Sequence, residues 1–159
     1  MHKDILNKIL TAGKLEKILN REFRSTHKIA FTNGCFDLLH RGHIYYLALA
    51  KEKADILVIG LNSDNSVKRL KGPDRPVMDQ QTRAEILAAM QFVDFVIIFD
   101  EDTPLSLIKK IKPDFLIKGG DYKIKEIAGY EAVKSYGGVI ETIPLLDGYS
   151  SSELIKRIK

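Results

Sequence analysis

Two histidines set three residues apart, His40 and His43, flank Gly42 directly after a break in the chain at Asn33-Gly34. At the start of a helix such a pair shares one face. The glycine between them removes a side chain and lets a ligand approach the backbone. A helix N-terminus offers free N–H groups and the positive end of a dipole, which together suit an anion. Imidazoles beside a polyphosphate donate N–H bonds to its oxygens, and the negative charge in turn favours their protonated form. Capping or packing histidines are the bland alternative. A metal site built on Cys35, His40 and His43 lacks a fourth ligand.

For those residues to meet a ligand, regular elements must bring them to one edge. Lys28–Thr32 (KIAFT) reads as a short buried strand, followed by a helix from about Gly42 to Lys53. Further apolar runs at 55–61, 93–99, 115–118 and 139–143 read as strands. Helices are expected between them. Asp79 caps one that runs to about Phe92 with Ile86, Leu87 and Met90 facing inward. Thr103-Pro104 opens another as N-cap and first-turn proline, and Pro113 closes it. Tyr130–Tyr136 and a segment from Ser151 supply two more. Residues 4–24 show helical periodicity, interrupted at Gly13, and make residues 1–26 an N-terminal helical extension. Residues 64–77 are polar and basic, broken by Gly72, Pro73 and Pro76, and read as a mobile basic loop. Alternating strands and helices with nearly continuous apolar strands predict an α/β fold: an open parallel five-stranded sheet covered on both faces. In such sheets ligands bind at the carboxyl ends of the strands, where His40 and His43 fall.

The chain of 159 residues suits a single domain over 1–159. Twenty-five Lys and Arg against 21 Asp and Glu leave a net charge of only +4, and no run of five basic residues occurs. Lys68, Arg69, Lys71 and Arg75 therefore suit a few phosphates better than a nucleic-acid backbone. The cluster Lys156, Arg157 and Lys159 reads as solvated surface. No apolar run approaches the ~18 to 20 residues of a membrane helix, and no secretory leader is seen. The single cysteine excludes an internal disulfide. A cytoplasmic protein is the expectation.

His40-Arg41-Gly42-His43, following Gly34-Cys35-Phe36-Asp37, resembles the HxGH signature of the cytidylyltransferase-like nucleotidyltransferase superfamily. Further segments resemble one branch of it, the D-glycero-β-D-manno-heptose 1-phosphate adenylyltransferase domain. They are Asn62-Ser63-Asp64, the run from Val67 to Pro73, Arg75-Pro76-Val77, Glu101-Asp102-Thr103-Pro104 and Lys118-Gly119-Gly120-Asp121-Tyr122. The resemblance covers nearly the whole chain and implies a Rossmann-like fold. Many members are fused to a sugar kinase; no such half is present here, so a stand-alone version is expected, with association into homodimers as family members often show.

The implied reaction transfers AMP from ATP to a sugar 1-phosphate, releasing pyrophosphate. Its implied cofactor is Mg²⁺, held mainly by the nucleotide phosphates. By position, His40, His43 and a mobile-loop lysine, Lys71 with Lys68 as the alternative, are the catalytic candidates. Asn33, Gly34, Cys35, Phe36 and Gly42 are implied to bind nucleotide, with Cys35 acting through its backbone. So are Lys118, Gly119 and Asp121, and the hydroxyls of Ser150, Ser151 and Ser152, whose other role is to cap the last helix. Asp37 either orders its turn by accepting backbone hydrogen bonds or is a structural cap; it is counted with Lys68, Arg69 and Arg75 on the acceptor side. Arg83 is either a substrate contact or a structural ion pair.

Three rival readings stay open. A cytidylyltransferase acting on glycerol 3-phosphate commonly carries an Arg-Thr-Glu-Gly run, where this chain has Leu145-Leu146-Asp147-Gly148. An adenylyltransferase making a dinucleotide fits Lys118–Tyr122 poorly. A nucleotide sensor without catalysis would not need His40, Gly42 and His43 together.

Overall fold

The computed structural model describes residues 1–120 and 122–158. Its frame is a parallel sheet of five strands: β1 (Ile29–Gly34), β2 (Ile56–Asn62), β3 (Phe95–Phe99), β4 (Phe115–Gly119) and β5 (Val139–Ile143), in the order β3-β2-β1-β4-β5. The chain moves outward from β1 through β2 to β3, then returns to lay β4 on the other side of β1. A crevice therefore opens between the carboxyl ends of β1 and β4, where the connections diverge.

Alternation along each strand divides two cores. Ala30, Leu57, Ile59, Leu61, Val96, Ile117 and Ile143 face one side. They pack on α4 (Arg41–Lys51) through Tyr46, Leu47 and Ala50, and on α6 (Gln80–Ala88) through Ala84 and Leu87. Ile29, Phe31, Val58, Ile97, Leu116 and Ile140 face the other. There they meet α2 (Ala12–Ile18), α7 (Leu105–Ile111) and α8 (Tyr130–Ser135). Both faces are buried, as the uninterrupted apolar runs predict.

Several boundaries depart from the sequence reading. Residues 1–26 form α1 (His2–Asn7), α2 and α3 (Arg21–Thr26), and Gly13 lies inside α2. The break falls at residues 8–10, which run along the open edge of β3: Leu10 N–H donates to Val96 O and Val96 N–H to Lys8 O, each at 2.9 Å. Satisfying that strand edge outweighs continuing the helix. Residues 64–71, expected as loop, form the helix α5 (Asp64–Lys71). Ser63 caps it by accepting from Ser66 N–H, and Lys68, Arg69 and Lys71 sit in its last turn, where cations favour the dipole. Ile86 is exposed, while Leu87 is buried. Asp79 caps α6 as expected, accepting from the amides of Gln81 and Thr82. Pro104 itself occupies the N-cap of α7, one residue later than the Thr103 reading. The last helix is α9 (Ser151–Ile158).

Candidate active site

The crevice holds a cleft of about 510 Å³. Its floor is the turn after β1, Asn33 to Asp37, and its wall is the first turn of α4. His40 is the N-cap of α4 in extended conformation, so it stands one residue before the helical turn expected to carry it. Its ring makes no capping bond, which leaves the helix's first amides without a side-chain cap. The rings of His40 and His43 lie 3.9 Å apart between centroids, inclined by 32°. Both Nδ1 atoms are buried with no hydrogen-bond partner among the described residues. Burial and the neighbouring His40 push His43 down to about 4, and burial lowers His40 as well. Both imidazoles are thus neutral at physiological pH without a ligand. Phe36, at φ 45°, places its ring 5.4 Å from His43.

Gly42 is required by space. A Cβ there would stand 3.0 Å from the His40 ring and 3.0 Å from Tyr149 Cβ. Opposite, at the end of β4, the Lys118 ammonium donates to Asn33 Oδ1, and burial lowers it to about 8. Ser150, Ser151 and Ser152 bring the N-terminus of α9 to the same cleft, and Ser151 Oγ is anchored on Leu38 O at 2.7 Å. Lys71 enters from the end of α5. A smaller compartment of about 170 Å³ adjoins, lined by Lys118, Gly119, Tyr122, Tyr46 and Leu145 with the β1 turn and His43. Its floor is fixed by the buried Tyr46 hydroxyl, which donates to Ile117 O at 3.1 Å and accepts from Thr32 Oγ1 at 2.5 Å.

Of the residues counted on the acceptor side, Lys68, Arg69 and Asp37 are placed differently, and Arg83 takes the second of its two readings. The Arg83 side chain has no exposed surface. It donates to Cys35 O at 2.6 Å, Asn62 O at 2.9 Å, Met78 O at 3.0 Å and Asp64 Oδ1 at 2.6 Å. It is a structural ion pair that ties the β1 turn to the start of α5, because four of its five N–H donors are taken by protein acceptors and the side chain is fully buried. Arg69 turns to Asp102, at 2.8 Å, and to Asp100 at the end of β3, outside the cleft lining. Lys68, one turn back from Lys71, is exposed and also outside the lining. Asp37 is buried, with both oxygens occupied by Arg75 Nε at 2.5 Å and the amides of Val77 and Met78. It orders the segment 75–78 rather than its own turn. Arg75 does line the cleft. Cys35 is half-buried with its thiol raised by burial, and its carbonyl is the group in use. Asp121 lies outside the described residues.

Several lining residues had no assigned role: Tyr46, Asn62, Leu70, Tyr122, Leu145, Leu146 and Tyr149. Tyr46 continues the spacing of three from His40 and His43, a signal available in the sequence. Tyr149 directly precedes the serine run and stacks 6.1 Å from the His40 ring. Among the described residues lining the large cleft, the one carboxylate is Asp37, already engaged. The lining therefore fits Mg²⁺ only as a cation carried in on phosphates, not as one caged by protein.

The cytidylyltransferase-like family model matches residues 31–157. The bifunctional protein HldE of Campylobacter concisus is 53% identical over 153 residues, 96% of this chain and 31% of that protein. HldE of Syntrophotalea carbinolica is 51% identical over 152 residues, again 96% and 31%. The chain thus spans about a third of the length of the curated relatives it matches. Among solved structures, the lipopolysaccharide core biosynthesis protein of Thermoplasma volcanium shares 27% identity at a TM-score of 0.63, covering 78% of this chain and 99% of that one. Pantothenate synthetase of Thermus thermophilus, at 17% identity and TM-score 0.61 over 94% and 70%, shares the fold. No helix among the described residues is long and apolar enough to cross a membrane.

Proposed function

This chain belongs to the cytidylyltransferase-like family, and on that premise we propose that it transfers AMP from ATP to D-glycero-β-D-manno-heptose 1-phosphate, forming an ADP-heptose and pyrophosphate. The observation that carries the reading is the closely apposed pair His40 and His43 at the uncapped head of α4, facing a cleft that also holds Lys71, Lys118 and the α9 N-terminus. The heptose acceptor rests on the segments from Asn62 to Val77 and from Lys118 to Tyr122 that resemble that branch. The name of the Thermoplasma neighbour, a lipopolysaccharide core biosynthesis protein, agrees with it.

The chemistry needs no side-chain nucleophile. A phosphomonoester loses its second proton near pH ~6, so the acceptor oxygen is already anionic. It attacks the α-phosphorus; the bond to the β-phosphate oxygen breaks; pyrophosphate leaves. The barrier lies in bringing two anions together and in stabilising charge on the leaving group. His40, His43 and the first α4 amides donate to the phosphates at the reacting centre. Lys71 approaches the departing charge from α5, and the hydroxyls of Ser150 and Ser152 with the first α9 amides hold the tail of the triphosphate, Ser151 being anchored on Leu38 O. Lys118 and Gly119 border the smaller compartment, whose mixed walls, with the rings of Phe36, Tyr46 and Tyr122 beside Asn33 and Lys118, suit the base and ribose. Mg²⁺ would supply charge neutralisation on the phosphates. An ATP-consuming step of this kind belongs in the cytoplasm.

The test is pyrophosphate release with four substrate pairs: ATP or CTP, each with heptose 1-phosphate or glycerol 3-phosphate. Release is expected from ATP with heptose 1-phosphate. Faster release from CTP with glycerol 3-phosphate would replace this reading with the cytidylyltransferase one. ATP binding with no release from any pair would make the chain a nucleotide sensor.

A further inference from the structure

The cleft holds three strong cations, Lys71, Arg75 and Lys118, and only one of them is fixed by a buried carboxylate. Asp37 is 2% exposed and lies two residues beyond Cys35 in the β1 turn. Its Oδ2 accepts from Arg75 Nε at 2.5 Å, and its Oδ1 accepts from Val77 N–H at 2.7 Å and Met78 N–H at 3.2 Å. A carboxylate so enclosed has no oxygen left for a sugar hydroxyl. What it does have is a grip on a guanidinium by its inner nitrogen alone. The terminal nitrogens of Arg75 have no protein acceptor among the described residues, and its side chain retains 16% exposure, directed to the cleft it lines. An arginine held by Nε presents its two terminal nitrogens as a fork, the geometry that takes two oxygens of one phosphate.

Position decides which phosphate. The smaller compartment contains His43, Lys118 and Gly119 but neither Lys71 nor Arg75. Lys118 and His43 thus border both compartments, whereas Lys71 and Arg75 line the large cleft alone. In-line displacement requires the attacking and leaving oxygens on opposite sides of the phosphorus. With the base and ribose in the smaller compartment, the part of the large cleft lined by Arg75 is left for the incoming ester. We infer that Asp37 is a positioning residue, which holds the Arg75 guanidinium side-on so that its free fork receives the phosphate of the acceptor. This inference rests on the proposed nucleotidyl transfer for the identity of the acceptor, but not for the existence of the phosphate site.

The experiment therefore uses two readouts. In the first, inorganic phosphate is titrated into the full chain loaded with a non-hydrolysable ATP analogue, and the backbone N–H resonances of residues 75, 77 and 78, present in every variant, are followed by NMR. Saturable shifts are expected in the wild type, none in Arg75→Gln, and affinity weakened about tenfold or more in Asp37→Asn. In the second, steady-state kinetics should show the acceptor KM raised by a similar factor in Asp37→Asn while the KM for ATP holds within about twofold. Adding Asp37→Asn to Arg75→Gln should cost the acceptor nothing further, because the carboxylate acts through the guanidinium. Phosphate shifts unchanged in Asp37→Asn, or a loss that falls on ATP instead, would overturn the inference. If Asp37→Asn fails to fold, Arg75→Gln and Arg75→Lys decide alone: phosphate binding that survives in both overturns it. Phosphate binding at Arg75 without turnover of heptose 1-phosphate would sink the proposed reaction and leave this site standing.

Discussion

Nucleotide binding should draw a proton into the cleft. In the free protein His43 titrates at about 4, so at pH 6 only about 1% of its rings carry charge. A phosphate charge brought to about 4 Å attracts an imidazolium by roughly 4 kcal/mol at an effective dielectric of about 20. At about 1.4 kcal/mol per pH unit, that lifts the ring by about three units, to ~7. At pH 6 the bound ring is then about nine-tenths protonated. One proton rather than two is expected, because the His40 ring is only 3.9 Å away and a second charge there would be repelled. Calorimetry of ATP binding at pH 6, repeated in buffers of low and high ionisation enthalpy, reads the proton count from the slope. ATP's own titration is common to wild type and variant, so the difference between wild type and His43→Gln isolates the ring. That difference should be close to one proton. Affinity should correspondingly strengthen as pH falls from about 7 toward 4, by at most tenfold per unit. Equal proton uptake in the two proteins would refute the assignment of His43 to the phosphates.

The same depressed ring makes the empty protein acid-sensitive. The unfolded chain binds a proton near 6.5 and the folded one only near about 4, so stability should be full above 6.5 and fall by up to about 3 kcal/mol as pH drops through that window, in urea unfolding; His43→Gln should flatten the dependence. Arg83→Met should cost roughly 3 to 5 kcal/mol in the same assay, since it leaves Asp64 and three carbonyls without their donor. Gly42→Ala should weaken ATP binding about tenfold by displacing the His40 ring, while costing less than about 1 kcal/mol of stability; unchanged ATP affinity would show that the ring yields freely. Lys118→Met should lose about tenfold or more in ATP affinity by calorimetry with stability unchanged or raised, because it removes a desolvated ammonium.

The sheet was legible because its strands are apolar runs long enough to be covered on both faces, and the crevice followed from where the β1 turn falls. The departures share a physical origin: side-chain capping outweighs local polarity. Thr11 and Asn20 each cap a short helix, accepting from Lys14 and Phe23 amides, and Ser63 does the same for α5. Read as N-caps, they would have divided residues 1–26 correctly and turned the basic stretch 64–71 into a helix whose cations belong at its C-terminal end. Other features had no local signal. Asp37 and Arg75 are 38 residues apart, and Arg83 reaches Cys35 across 48. Side-chain pairing over such separations depends on how strand ends are brought together, which periodicity does not encode.

Those long-range pairs bear on how the cleft can work. Electrostatic stabilisation is effective when donors are already aimed before charge shifts, so that nothing must reorganise during reaction. The β1 turn is gripped twice within three residues. Arg83 holds the carbonyl of Cys35, and Asp37 holds the segment 75–78. Arg83 also binds Asp64 at the start of α5 and Met78 O just before α6. The turn, α5 and the segment beneath Arg75 are therefore one unit: a shift of any of them strains a buried ion pair. Lys71, exposed at the end of α5, is left outside these restraints. A fixed frame with a mobile ammonium at its edge suits the proposed transfer between two anions, since the frame can hold the donors aimed while the loose charge of Lys71 follows the group that leaves.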